Sequence, residues 1–214
     1  MMQQAGSVDA NAIIQKLRRL ATLDTTVFDD VRTDHHATAP AMIVALVSTF
    51  AFGVGGWLWW VFNDIPDAGD ILVKSLIIGS IASTLLWAVG VAITYVMLTQ
   101  VFRARADMYE LFRVMGFATV PLALGLLMFL PEVDFGIGLT SVALFFGLSV
   151  IAAQTVTDAP AGRVLAACGT GFLIWAVVLG LLVGTDSVYA PGFFVFDTGG
   201  EILKALGDLN SIFS

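Results

Sequence analysis

The chain has 214 residues, of which 58% are hydrophobic and 13% are charged, and its formal net charge is −7. Soluble domains carry roughly 45–50% apolar and about 25% charged residues, so this composition excludes an ordinary soluble domain and indicates a single membrane domain. Nucleic acid would be repelled by the acidic residues on one side of the membrane and would find no basic patch on the other, so no nucleic-acid partner is expected. The one cysteine, Cys168, lies in an apolar run and cannot form a disulfide within the chain.

Five long apolar runs, separated by short polar connectors, dominate the sequence. A transmembrane helix needs about 20 mostly apolar residues, because the hydrocarbon core is about 30 Å thick and a helix rises about 1.5 Å per residue. The third run is the shortest and carries Pro121, so a re-entrant pair formed by the third and fourth runs is the alternative to five full spans. The predicted fold is all-α, a polytopic transmembrane helix bundle of five spans with short amphipathic flanking helices. The runs cover residues 41–62, 71–102, 114–130, 135–156 and 164–184.

Basic residues are distributed unequally between the two sides of the predicted bundle. With five spans, one side receives eight of the 10 Lys and Arg residues and the other receives only Lys74 and Lys204. Since loops rich in Lys and Arg stay in the cytoplasm, the asymmetry predicts a cytoplasmic N-terminal segment (1–40), a membrane domain (41–184) and an extracytoplasmic C-terminal segment (185–214), in the cell membrane. The eight residues on the predicted cytoplasmic side are Lys16, Arg18, Arg19, Arg32, Arg103, Arg105, Arg113 and Arg163.

Residues that could carry catalysis or bind a metal are scarce. The two histidines, His35 and His36, are adjacent, and neighbouring side chains point in different directions, so one metal ion rarely binds both. Transporters and pumps usually bury charged groups in mid-span, whereas the deep polar groups here are hydroxyls and one amide, Gln154. We therefore expect no catalytic residues, no metal site, no cofactor and no enzyme activity. A transporter or channel component for a neutral or weakly polar solute is the alternative.

Two flanking segments have the pattern of amphipathic helices. In the first, apolar residues at helical spacing alternate with Lys16, Arg18 and Arg19, which predicts contact with headgroups at the membrane surface. The second lies near the C-terminus. Packing of either helix on its own bundle is an equally weighted alternative. The apolar positions are Ile13, Ile14, Leu17 and Leu20 in the first segment and Ile202, Leu206, Leu209 and Phe213 in the second.

Small residues recur at four-residue spacing in two of the runs. Ser75, Gly79 and Ser83 share one face of the second run, and Gly180 and Gly184 end the fifth. Such surfaces let helix backbones touch, which matters in lipid because packing must replace the missing hydrophobic driving force. They predict helix-packing surfaces, within the bundle as the first reading and against a partner's helix as the second.

Two segments on the predicted cytoplasmic side, TTVFDDV at residues 25–31 and YELFRVMGFATVP at residues 109–121, resemble segments of the Yip family, five-span membrane proteins named for their interaction with Ypt/Rab GTPases. The first resembles the P-x-x-T-F-x-x-I segment of prokaryotic members. The second resembles the loop by which the family enters its third span, aromatic-small-x-x-Pro. The five-span arrangement with a cytoplasmic N-terminus is similar as well. The residues of this family-like loop singled out here are Tyr109, Arg113, Gly116 and Pro121.

The resemblance implies a five-span fold without catalytic residues and, in eukaryotes, roles in vesicle trafficking and membrane shaping. The expected function is that of a non-enzymatic integral membrane scaffold or accessory subunit that organises protein partners or lipid. Its expected partners are membrane lipids and other integral membrane subunits. A continuous polar cavity at mid-membrane would favour the transporter alternative, whereas a solid bundle packed through small residues would favour the scaffold.

Overall fold

The structure, a computed structural model, describes residues 10–62, 72–130 and 132–183. Within these ranges the chain is helical almost throughout, and the one β-type pairing is an isolated bridge between Ala106 and Thr157. Stretches of π-helix extend the second span at both ends, over Leu72–Gly79 and Met97–Val101. The α-helices are α1 (Ala10–Ala21), α2 (Val27–Thr33), α3 (Thr38–Phe62), α4 (Ser80–Val96), α5 (Met108–Ala118), α6 (Asp134–Gln154) and α7 (Ala161–Val183).

Five helical segments are long and apolar enough to cross a membrane. Each overlaps one of the five predicted runs, and together they confirm the all-α, five-span prediction. The chain is therefore a multi-pass membrane protein. The five segments are His35–Trp59, Ser80–Val101, Met108–Phe129, Asp134–Gln154 and Ala161–Val178.

The third span changes geometry at Pro121. α5 ends at Ala118, and the chain continues as a 3₁₀-helix over Val120–Phe129. Proline lacks an amide hydrogen and its ring clashes with the preceding turn, so an α-helix does not continue through it unchanged. A 3₁₀-helix rises about 2.0 Å per residue, against about 1.5 Å in an α-helix, so the two segments together reach roughly 36 Å. The shortest predicted run thus belongs to a segment with the length of a full span.

The third span runs parallel to α3. At one end Gly116 approaches Ala41 so closely that a Cβ added to the glycine would lie 2.7 Å from the Ala41 Cβ. At the other end the rings of Phe62 and Phe129 lie 5.8 Å apart. Contacts in this order, from the start of α3 to its end, describe a complete crossing rather than a re-entrant pair.

α5 forms the centre of the bundle. Every residue from 113 to 119 is buried, and α3, α4 and α6 all pack against α5. α7 packs on α4 and α6, where Phe145 meets the ring of Trp175 edge-on at 5.6 Å. Other faces of the helices carry exposed aliphatic side chains, such as Leu85 and Leu173, as lipid-facing surfaces do. The core of the protein is therefore built around its third span.

Candidate functional site

One end of the bundle gathers α1, α2, the loop from α4 to α5 and the loop from α6 to α7, and we name it the basic end. The two loops are tied together, since the amide of Arg105 donates a hydrogen bond to Asp158 Oδ1 at 2.9 Å beside the bridge described above. Arg32 of α2 donates to the carbonyl of Thr155 in the second loop. All eight basic residues that the sequence groups on one side lie at this end.

α2 belongs to the hydrophobic core. Val27, Phe28 and Val31 are fully buried, and α2 packs on α5. Asp29 and Asp30 stand in its first turn, where the helix dipole favours negative charge. The segment that resembles the prokaryotic Yip sequence therefore serves to dock a short helix against the start of the third span.

α1 packs on the same end of the bundle through its apolar stripe. Leu20 is buried, and Ile13 and Leu17 contact the core, while Ile14 is exposed. The alternative of packing on the bundle thus describes the position of α1. Contact of its basic face with headgroups stays a prediction.

An ion pair links α1 to the turn before α3. Lys16 Nζ lies 2.9 Å from Asp34 Oδ2 and 5.9 Å from the centre of the Phe117 ring. Partial burial acts to raise the pKa of Asp34, but the hydrogen bonds from Lys16 and from the His36 amide, with the nearby positive charges, outweigh it and hold that pKa below its ordinary value. Lys16 is therefore engaged within the protein.

Arg19 binds two carboxylates beyond the end of α1, Asp24 at 2.7 Å and Asp30 at 2.6 Å. The hydrogen bond from the Thr26 hydroxyl, followed by that from Arg19, lowers the pKa of Asp24, and the same carboxylates raise the pKa of Arg19. Among the three basic residues of α1, Arg18 alone is exposed without an ion pair in the described part of the chain. The predicted headgroup contact of α1 would then fall to Arg18.

The four residues of the family-like loop lie in the third span, which begins at Met108, six residues earlier than the predicted run. Tyr109 is 70% exposed, and Arg113, one turn further along, is 3% exposed. Gly116 is buried at the contact with α3, and Pro121 is buried where the 3₁₀-helix begins. The first two residues line a pocket, and the last two serve the packing and geometry of the span.

A pocket of about 350 Å³ opens at the basic end beside Arg113. Nη1 of Arg113 lies 3.4 Å from His35 Nδ1, while the buried Nε has no hydrogen-bond partner. Asp107 caps α5, and its Oδ1 accepts hydrogen bonds from the amides of Tyr109 and Glu110 at 2.9 Å each. The residues that line the pocket are His35, Thr38, Asp107, Tyr109, Glu110 and Arg113.

The sequence did not predict this pocket. Arg113 was expected to be one of several basic loop residues, whereas in the structure its side chain is buried and belongs to α5. The available signal was an arginine directly before a long apolar run, between Phe112 and Val114. The contribution of His35 and Thr38 depends on the packing of α3 beside α5, which no local pattern encodes.

The histidine pair lies in a 3₁₀ turn, His35–Ala37, and both rings are exposed. The His35 ring faces the guanidinium of Arg113, whose positive charge opposes a cation there. Within the described ranges, no group of three or more His, Cys, Asp or Glu residues could hold a metal ion. The charge of Arg113 adds a physical reason to the expectation that the pair binds no metal.

The predicted small-residue stripes are only partly described. Gly79 and Ser83 are buried, and Thr84, next to Ser83, shares a 2.7 Å hydrogen bond with Thr49 of α3. The role of the stripes in packing or partner binding stays a prediction. The side chain of Ser75, the surroundings of Gly180, the residue Gly184 and the C-terminal segment 185–214 lie outside the described residues.

Other close helix contacts use glycines outside the predicted stripes. A Cβ added to Gly171 of α7 would lie 2.5 Å from the carbonyl oxygen of Gly90 in α4. Beside this crossing is a cavity of about 20 Å³, whose lining includes Thr94, Ser149 and Cys168. That volume holds about one water molecule. The interior is close-packed at this point.

A family model described as the Yip1 domain matches residues 23–185, about three quarters of the chain. The chain belongs to the Yip1 family. No curated protein and no solved structure matches it. The family match confirms the resemblance carried by the two segments at the basic end.

The family match covers every described helix of this Yip1 protein except α1. It begins just before α2 and extends just past α7, so it includes the docked lead-in helix, all five spans and the Arg113 pocket. α1 precedes the matched residues. The ion pairs of Lys16 and Arg19 therefore attach to the Yip1 domain a helix that lies outside the family match.

Proposed function

We propose that this Yip1 protein is a non-enzymatic membrane scaffold or accessory subunit that organises protein partners or lipid. The observation that carries the proposal is the continuous burial of residues 113–119 in the third span, where α3, α4 and α6 pack against α5. With its centre filled, the protein acts through its surfaces. These are the lipid-facing helices, which suit other integral membrane subunits, and the basic end.

The proposed setting is the cell membrane, with the N-terminus in the cytoplasm and the C-terminus outside. The distribution of basic residues supports this orientation, because all eight that the sequence assigns to the cytoplasmic side lie at one end of the bundle. In this orientation α1 lies at the inner leaflet, and Arg18 faces headgroups.

Transport of a neutral solute has less support from the packing. Several hydroxyls in the spans bond within their own helices, as Thr94 does to the Gly90 carbonyl at 2.9 Å and Ser141 to the Ile137 carbonyl at 2.7 Å. The cavity at the α4–α7 crossing, about 20 Å³, is too small to form a path. The scaffold is therefore the function that the described residues support best.

Purification from native membranes tests this proposal. The tagged protein would be extracted with its surrounding lipid by a membrane-solubilising polymer, and the recovered proteins and lipids would be quantified by mass spectrometry. An unrelated tagged multi-pass protein of equal abundance is the control. We expect a reproducible set of membrane proteins, or an enriched lipid class, close to stoichiometric with the chain. Recovery of the chain alone, in lipid of bulk composition, would contradict a scaffold role.

A further inference from the structure

The buried guanidinium of Arg113 forms no direct ion pair in the described part of the chain. An arginine side chain is permanently charged, and a charge removed from water without a partner is costly. No carboxylate oxygen among the described residues lies within 4.0 Å of Arg113, and its only hydrogen-bond neighbour there is His35, at 3.4 Å. Buried polar groups are nearly always satisfied, and the unpartnered Nε shows that the hydrogen-bonding capacity of this guanidinium is not used up within the described residues.

We propose that the pocket beside Arg113 binds an anionic phosphate group. A guanidinium binds phosphate oxygens through two parallel N–H donors, a geometry for which arginine is better suited than lysine. Thr38 and Tyr109 line the same pocket and offer hydroxyl groups, and His35 offers a ring nitrogen. The pocket volume of about 350 Å³ is far above the roughly 10–15 Å³ that a single water molecule needs, which leaves room for a phosphate group with part of its hydration.

Two carboxylates in the lining limit the charge of the anion that the pocket can bind. Asp107 is occupied by the amides it caps, and Glu110 lies 4.0 Å from Arg32 Nε, so each is partly compensated. Their residual charge disfavours polyanions. The site therefore suits one phosphate carrying one or two charges, such as a phosphodiester or inorganic phosphate.

The position of the pocket allows two sources for this phosphate. His35 begins the first span and Arg113 lies in the second turn of the third, so the pocket sits where hydrocarbon meets headgroups. A phospholipid headgroup and a soluble phosphate are both within reach. This inference rests on the proposed function, because it names the class of ligand that the proposed scaffold would bind. The two can fail separately, because phosphate binding is measured on the purified chain and partner capture is measured from membranes.

The experiment has two arms on the full chain. In the first, inorganic phosphate is titrated against the detergent-solubilised protein at constant ionic strength, and the rise in melting temperature gives an apparent Kd. In the second, the protein is placed in phosphatidylcholine nanodiscs with or without 20 mol% phosphatidylglycerol, and native mass spectrometry counts the retained lipids. Arg113→Gln removes the proposed contact. Arg105→Gln makes the same chemical change at an exposed residue of the same end that does not line the pocket.

We expect binding in at least one arm for the wild type and for Arg105→Gln, and a Kd roughly 10- to 100-fold weaker for Arg113→Gln, as the loss of a charge-assisted contact implies. If Arg113→Gln does not fold, Thr38→Phe is the second variant, because it fills the pocket and keeps the charge of Arg113. It must weaken binding in the same way. Binding in the first arm alone identifies soluble phosphate, and binding in the second alone identifies a headgroup. The proposal is overturned by wild-type protein that binds in neither arm, or by Arg113→Gln or Thr38→Phe protein that binds as the wild type does.

Discussion

A single methyl group added at Gly116 tests the packing of the third span on α3. In Gly116→Ala the new Cβ would lie 2.7 Å from the Ala41 Cβ and 2.8 Å from its carbonyl oxygen. Ordinary van der Waals contact begins near 3.4 Å, so the two helices must separate locally by about 0.7 Å. Neither neighbour is the flexible end of a long side chain. Overpacking of this kind costs about 1–3 kcal/mol.

The matched control is Gly147→Ala in α6, where an added Cβ would meet nothing within 4 Å. Both substitutions replace a helical glycine by alanine, which raises helix propensity by up to about 1 kcal/mol. This gain is the same in both variants and cancels in the comparison. For a chain of this size 1 kcal/mol shifts the melting temperature by roughly 2–4 °C, so Gly116→Ala should melt roughly 2–12 °C below Gly147→Ala.

The chain carries its own probe for this measurement. Cys168 is its single cysteine and is 2% exposed, so a thiol-reactive fluorophore reports unfolding in detergent. Equal melting temperatures for the two variants would refute the close approach of α3 and α5.

Three further predictions concern topology, pH and the small-residue stripe. In a cysteine-free background and intact cells, a cysteine at Asp67 should react with an impermeant thiol reagent and one at Ala104 should not; labelling at Ala104 would reverse the orientation. The pKa of Asp34 is lowered in the folded protein, so the stability it gains from Lys16 is present above its unfolded pKa of about 3.9 and lost as pH falls through the folded pKa. The melting temperature of Asp34→Asn should therefore lie below that of the wild type at pH 6, with the gap closing below about pH 4; a gap independent of pH would exclude this linkage. Gly79→Leu should lower the melting temperature by roughly 2–12 °C, the equivalent of about 1–3 kcal/mol of overpacking, whereas unchanged melting and unchanged co-purification would mean that the stripe faces lipid.

The spans were predictable because lipid imposes a simple length and polarity rule. Each of the five apolar runs overlaps a helical segment long enough to cross a membrane, and the third run belongs to one of full length. Its 3₁₀ stretch could not be predicted, although Pro121 marked the place, because the rise per residue depends on how the segment packs against α3. Proline excludes an unchanged α-helix without specifying what replaces it.

The polar contacts at the basic end were not predictable from periodicity. Ile13, Leu17 and Leu20 of the predicted α1 stripe pack on the bundle, whereas Ile14 is exposed. The pattern does not show that Lys16 meets Asp34 or that Arg19 meets Asp24. Those pairs depend on the turn at Leu23, which has a positive φ of 58° and brings the chain back on itself. The burial of Arg113 likewise depends on packing between segments far apart in sequence. A glycine contact such as Gly116 with Ala41 shows no spacing pattern that would mark it.

The most direct test of the central claim is the reactivity of cysteines along the third span. The claim is that the inward face of this span is closed to water, so that the Yip1 protein acts through its surfaces. In open membrane fragments, with Cys168 replaced, Tyr109→Cys should react rapidly with a small charged thiol reagent, since Tyr109 is 70% exposed. Met115→Cys and Leu122→Cys, at positions 5% and 1% exposed, should stay unreacted. Reaction at both buried positions, at rates near that of Tyr109→Cys, would reveal an aqueous path through the bundle and contradict the account.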